Sequence, residues 1–88
     1  MDEKSLMKIF KAIANENRFA VLKFLRKNKE MSVGDLAEIT NSAFRSVSRN
    51  LHFLRKADLV QCRNHFSKRL YSINMQSFPK EFLSFLEN

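Results

Sequence analysis

The segment Met31–Val60 reads M-S-V-G-D-L-A-E-I-T-N-S-A-F-R-S-V-S-R-N-L-H-F-L-R-K-A-D-L-V, and it leaves a chain few options. It spells a short helix, a turn and a longer helix with an apolar back and a cationic front. Val47, Leu51 and Leu54 fall at i, i+4 and i+7 and share one face. Arg45, Ser48, Arg49, His52 and Lys56 fall mostly on the opposite side. Such a helix must bury its back against a core while it shows its cations to solvent. The DNA major groove admits one helix, and arginine is the commonest donor to its base edges.

The flanking sequence supplies that core. The first helix is expected over residues 4–14, with Leu6, Ile9, Phe10 and Ile13 on one face and Met7 beside them. Asn15 is a good N-cap for a second helix over residues 16–27. Phe19, Val21, Leu22, Phe24 and Leu25 are too many for one narrow stripe, so this helix should be central. Met31 enters a short extended segment. Ser32 and Asp35 then form a capping box, with Met31 and Leu36 at the positions of a hydrophobic staple. Leu36, Ala37 and Ile39 are expected to face inward. Thr40-Asn41-Ser42 breaks the third helix and caps the fourth, which runs to about Lys56. Asp58 is expected in the helix-ending conformation that Gly adopts more cheaply.

Residues 60–66 and 69–73 have strand character. The turn between them lacks Asn-Gly or Asp-Gly, so a longer hairpin loop is expected. A last helix of about ten residues should start at Ser77 or Phe78, with Pro79 in its first turn. Phe78, Phe82, Phe85 and Leu86 then fall at i, i+4, i+7 and i+8. A helix that short is marginal alone, and each large side chain it buries contributes on the order of 1.5–3 kcal/mol. The first and last helices together offer more apolar surface than one small domain needs. Leu6, Met7, Phe10, Phe78, Phe82, Phe85 and Leu86 are therefore expected to form a two-fold dimer seam; the alternative is that both helices close a monomer core. The expected fold is one domain over residues 1–88, mainly α with a small β-hairpin wing: helix-helix-strand-helix-helix-strand-strand-helix, a winged helix-turn-helix.

Charge distribution points the same way. The chain has 88 residues and a net charge of +7. Between residues 42 and 72, Arg45, Arg49, Arg55, Lys56, Arg63, Lys68 and Arg69 face Asp58 alone. Residues 1–41 are nearly balanced by comparison. This is the footprint of a polyanion partner rather than of a surface charged only for solubility. Cys62 is the only cysteine, so an internal disulfide is excluded and a reducing compartment is expected. No signal-type run and no stretch near the about 18 apolar residues of a membrane span is visible, so a cytoplasmic location without membrane partners is expected. No catalytic spacing, phosphate loop or buried carboxylate pair appears, and neither enzyme activity nor a cofactor is expected.

The chain resembles the ArsR/SmtB-type winged-helix repressors. The likeness covers residues 10–73 and rests on four segments in register: K-A-I-A-N-E-N-R followed by V-L-K-F-L, E-M-S-V-G-D-L-A, V-S-R-N-L-H-F-L-R-K-A-D-L-V, and R-L-Y-S-I. The resemblance implies DNA contacts from the fourth helix and the wing. By position these are Ser42, Phe44, Arg45, Ser46, Ser48, Arg49 and His52 on the helix. On the wing they are Arg63, His65, Lys68 and Arg69, gripping backbone. Ser48 and Arg49 match the family's S-R pair. Phe44 stands where a polar residue is usual; packing under Val47 is favoured over contact with a thymine methyl. The family's thiolate metal pair is replaced by Ser32 and Gly34, and the last helix has no His. No metal is therefore expected, since soft metal sites need thiolate. Cys62 is read as a half-buried strand residue, with a redox role left open.

The reading that results is a dimeric, sequence-specific regulator of double-stranded DNA, a repressor that does not sense metal. A protein-docking module is the alternative; it requires Phe44 exposed, with Phe53 or Phe66 as a sticky patch. A third option is single-strand or RNA binding, with Phe44, Phe66 and Tyr71 stacking on bases.

Overall fold

The computed structural model describes residues 1–87. Four helices come first: α1 (Glu3–Ile13), α2 (Glu16–Asn28), α3 (Val33–Thr40) and α4 (Phe44–Lys56). A hairpin of β1 (Val60–His65) and β2 (Lys68–Ile73) follows, then a 3₁₀ turn (Met75–Ser77) and α5 (Lys80–Phe85). It is the winged helix-turn-helix that the sequence predicts.

The helix starts are set locally. Asp2 Oδ1 accepts from the Ser5 N–H at 2.7 Å, and Asn15 Oδ1 from the Arg18 N–H at 3.0 Å. At α3 the Ser32 Oγ accepts from the Asp35 N–H at 3.1 Å, while an Asp35 carboxylate oxygen accepts from the Ser32 N–H at 3.2 Å. Both orphan donors of the first turn are thus satisfied. Met31 and Leu36 are buried as a staple requires. Asn41 closes α3 in the left-handed region at φ 52°, where Asn is tolerated better than most residues. The end of α4 is a Schellman motif: the Asp58 N–H donates to Arg55 O at 3.0 Å and the Leu59 N–H to Leu54 O at 2.9 Å. Asp58 takes the expected positive φ, 63°. Its carbonyl then accepts from Ser77 Oγ at 2.7 Å and Asn74 Nδ2 at 3.1 Å, tying the chain after the wing to the end of α4.

The core runs through the whole chain. Val21, Leu22 and Leu25 of α2 pack in one cluster with Leu36, with Val47, Leu51 and Leu54 of α4, and with Leu59, Val60, Tyr71 and Ile73. Helix α2 touches α1, α3, α4 and β2, the central place that its many apolar residues predict. Ile39 departs from expectation: it lies on the outer edge of α3 and is exposed.

Two other expectations are corrected. The hairpin has a two-residue turn, Phe66-Ser67, with His65 paired to Lys68 and Val60 to Ile73. Phe66 supplies the positive φ, 57°, that the twist of a tight hairpin demands. The C-terminal helix is also shorter than expected. Proline disfavours helical backbone at the residue before it, and Phe78 is extended at φ −115°, ψ 133°. Pro79 is therefore the N-cap of a six-residue helix, not a residue inside a longer one. Phe78 and Leu86, both assigned to a dimer seam from sequence, are only 5% and 3% exposed within the single chain. Released from the helical face, Phe78 folds back into the monomer core.

Leu51 is fully buried at the centre of the α4 back. Leu51→Ala should cost about 2–5 kcal/mol of folding stability, read by urea denaturation. A cost under about 1 kcal/mol would mean that α4 is not seated on the core as described.

Candidate nucleic-acid interface

Helix α4 turns one side to the core and the other to solvent. Val47, Leu51 and Leu54 are buried, whereas Arg45, Ser46, Ser48, Arg49 and His52 are all exposed. Arg45, Ser48, Arg49 and His52 fall at i, i+3, i+4 and i+7 and form one presented face. Among the described residues neither Arg45 nor Arg49 has an ion-pair partner. Their guanidinium forks stand ready for an external acceptor.

The start of α4 is open. The expected cap from Thr40-Asn41-Ser42 is not made: the N-cap is Ala43, which offers no side-chain hydrogen bond, and the first turn has no acidic residue. The early N–H groups of any helix lack intrahelical acceptors, and here no side chain supplies one. Ser42 is half-buried at the junction, its hydroxyl donating to Thr40 O at 3.3 Å. Phe44 overturns the packing expectation: it is the first residue of α4 and 62% exposed.

On the wing, His65, Lys68 and Arg69 are exposed. Arg63, its side chain 56% exposed, is also tied within the fold. Its Nε donates to one Glu30 carboxylate oxygen at 2.6 Å and its Nη2 to the other at 2.9 Å. This forked pair joins β1 to the α2–α3 connection. Sequence reading missed Glu30 because its partner is 33 residues away. Lys29 sits at φ 67°, ψ −58° in a γ-turn closed by the Glu30 N–H donating to Asn28 O at 2.7 Å, a geometry with no signature in the residues. That strained turn aims Glu30 at the wing. One residue on, Met31 exchanges both backbone hydrogen bonds with Tyr71 of β2, at 3.0 and 2.8 Å. The wing is therefore braced on both strands.

Arg18 performs a similar internal task. Its guanidinium lies 4.0 Å from the Phe53 ring centre and donates to Lys11 O at 2.8 Å. The Phe53 ring is thus partly capped by a cation instead of forming a bare patch. Tyr71 is buried, which removes it from any base-stacking surface.

The two positions that the family's thiolate pair would occupy hold other chemistry. Ser32 Oγ is engaged in the α3 capping box and Gly34 has no side chain. Among the described residues no three His, Cys, Asp or Glu groups cluster as ligands. Nor is any described helix long and apolar enough to cross a membrane.

The comparisons with known proteins agree with this geometry. A family model described as a helix-turn-helix domain matches residues 13–63, more than half of the chain. An HTH-type transcriptional regulator of Bacillus subtilis, YceK, is 30% identical over 87 residues, 98% of this chain and 87% of its own length. The chain belongs to the ArsR-type winged-helix transcriptional regulators. The transcriptional repressor SdpR of the same bacterium is 33% identical over 75% of this chain and 72% of its own. Among solved structures, reduced HlyU of Vibrio cholerae superposes with a TM-score of 0.79 at 28% identity, covering 96% of this chain and 83% of that one. This member of the family is a DNA-binding transcriptional regulator, and α4 is the second helix of its helix-turn-helix.

The Arg63 fork, helped by its charge and by His65 nearby, holds the Glu30 carboxyl below its ordinary value. A depressed carboxylate stabilises the fold above its unfolded value, and that stabilisation disappears as pH falls through the folded one. Glu30→Gln should therefore melt below the wild type at neutral pH, with the gap closing in acid below the ordinary glutamate range. Thermal melts across pH provide the check; a gap independent of pH would remove the ion pair from the account.

Proposed function

We propose that this regulator binds operator DNA as a homodimer and represses, reading bases through Arg45 and Arg49 and holding phosphates through Lys68 and Arg69, without a metal signal. The observation that carries this reading is the exposed, unpaired arginine face of α4, set rigidly on a buried apolar back. Ser48 and His52 flank the arginines on that face, and the uncapped start of α4 offers N–H groups to a phosphate. Phe44 beside it has the apolar surface to meet a thymine methyl. His65 and Lys68 project from the wing, next to the internally paired Arg63.

The dimer surface supported by the structure is narrower than the sequence implies. Met7, Phe10 and Phe85 are exposed, with Leu6 and Phe82 half-buried between them. Phe82 meets Phe10 edge-on at 5.7 Å and Phe85 at 6.2 Å between ring centres. Phe82 and Phe85 border an apolar recess of about 350 Å³ that Phe78 and Leu86 also line. A second copy meeting this face would bury it isologously and set two α4 helices at a two-fold spacing.

Exposed Phe44 and Phe66 also suit the docking alternative, and Phe53 is 40% exposed although Arg18 lies over one face of its ring. Duplex binding separates the two. Arg49→Ala should reduce discrimination between selected operator and random duplex by about 1–3 kcal/mol. Lys68→Ala should weaken both duplexes alike and lower the salt slope by about 1. Negligible duplex affinity of the wild type at low salt would favour docking instead. Phe85→Glu should halve the mass in analytical ultracentrifugation and weaken operator binding; a monomeric wild type at micromolar concentration would refute the seam.

A further inference from the structure

The wing tip carries a side chain that suits neither its turn nor its surroundings. Phe66 is 94% exposed, more than any other large apolar residue described. Among the described residues its one ring contact is the neighbouring His65, edge-on at 4.7 Å. It also occupies φ 57°, where a bulky aromatic residue is strained and Gly or Asn is at ease. Folding of this chain thus gains nothing from a phenyl ring at position 66.

Its neighbourhood selects the partner. From Leu59 to Lys80 the sequence contains no Asp or Glu, while Lys68 and Arg69 stand beside the tip. An apolar protein surface has no use for such an unbalanced pair of cations; a phosphate backbone has. The ribbon is also stiff at its root. Burial rises from the exposed tip towards Val60 and Ile73, and the Glu30–Arg63 and Met31–Tyr71 links fasten both strands. A stiff ribbon with an aromatic tip and cationic shoulders has the build of a wedge.

We infer that Phe66 inserts into the minor groove of bound duplex DNA and partly unstacks one base step, making Phe66 a specificity residue for positions that α4 does not touch. The groove, about 6 Å wide, accepts a ring edge. Apolar side chains so placed unstack and kink DNA. Pyrimidine–purine steps yield most easily, so they should be preferred where the tip lands. The inference rests on the DNA-binding reading above.

The test uses the full chain and duplexes selected from a random library. Wild type, Phe66→Asn and Phe66→Leu are compared, with thermal melts confirming that each folds; Asn suits the positive φ, so its variant should melt at or above the wild type. The wild type should select half-sites plus a pyrimidine–purine step at a fixed distance outside them, preferred about tenfold, the scale of one base position. It should also shorten the end-to-end distance in energy-transfer measurements and brighten 2-aminopurine at that step. Phe66→Asn should select the same half-sites but lose the flanking preference, the bend and the brightening, while Phe66→Leu keeps most of them. An Asn variant that bends DNA as the wild type does, or that loses affinity equally for every duplex, would overturn the wedge. A wild type that binds no duplex at low salt would overturn the DNA-binding reading and the wedge with it.

Discussion

The burial of Val47, Leu51 and Leu54 under α4 is the contact on which the rest of this molecule depends. It positions the helix on α2 and, because a helix has two sides, it turns Arg45, Ser48, Arg49 and His52 outward. The Schellman end of α4 then sends the chain directly into β1, and the Asp58 carbonyl receives the hydroxyl of Ser77 beyond the wing. Helix α4, the wing and the C-terminal segment are therefore referenced to one buried stripe. Loss of that stripe would release all three together.

Cations in this protein divide into two populations with different work. Arg18, Arg26 and Arg63 are internal struts: Arg18 covers Phe53, Arg26 pairs with Glu87 at 2.6 Å, and Arg63 is forked to Glu30. Arg45, Arg49, Lys68 and Arg69 have no such partner among the described residues. Net charge alone does not separate these groups. The distinction matters for binding, because a carboxylate already paired with a guanidinium offsets part of the attraction that cation offers a phosphate. Exposed pairs contribute little to stability; the value of Glu30–Arg63 is geometric, since it fixes the wing's angle to the body.

Much of the site is legible in the order of residues. Capping residues, the staple, the Asp58 helix end and the two faces of α4 are short-range patterns, each decided within about one or two helical turns. Expectation and fold part where one pattern fits two conformations. Phe78, Phe82, Phe85 and Leu86 have helical spacing, yet Pro79 forces Phe78 out of the helix and into the core. Phe44 belongs to the apolar class but begins a helix with its side chain exposed. Phe66 lacks the Asn-Gly signature of a tight turn, yet strand pairing of His65 with Lys68 imposes that turn on it.

By itself, then, the sequence determined the order of elements, the seating of α4 and the family, because periodicity, caps and motif spacing are properties of neighbouring residues. Tertiary structure alone decided which cations are free, which aromatic residues are covered and how far the wing is braced. Those outcomes depend on partners such as Glu30 and Arg63, 33 residues apart, and on backbone angles that pairing imposes against local preference. A one-dimensional pattern can place a residue on a face; only the folded chain shows what, if anything, stands opposite.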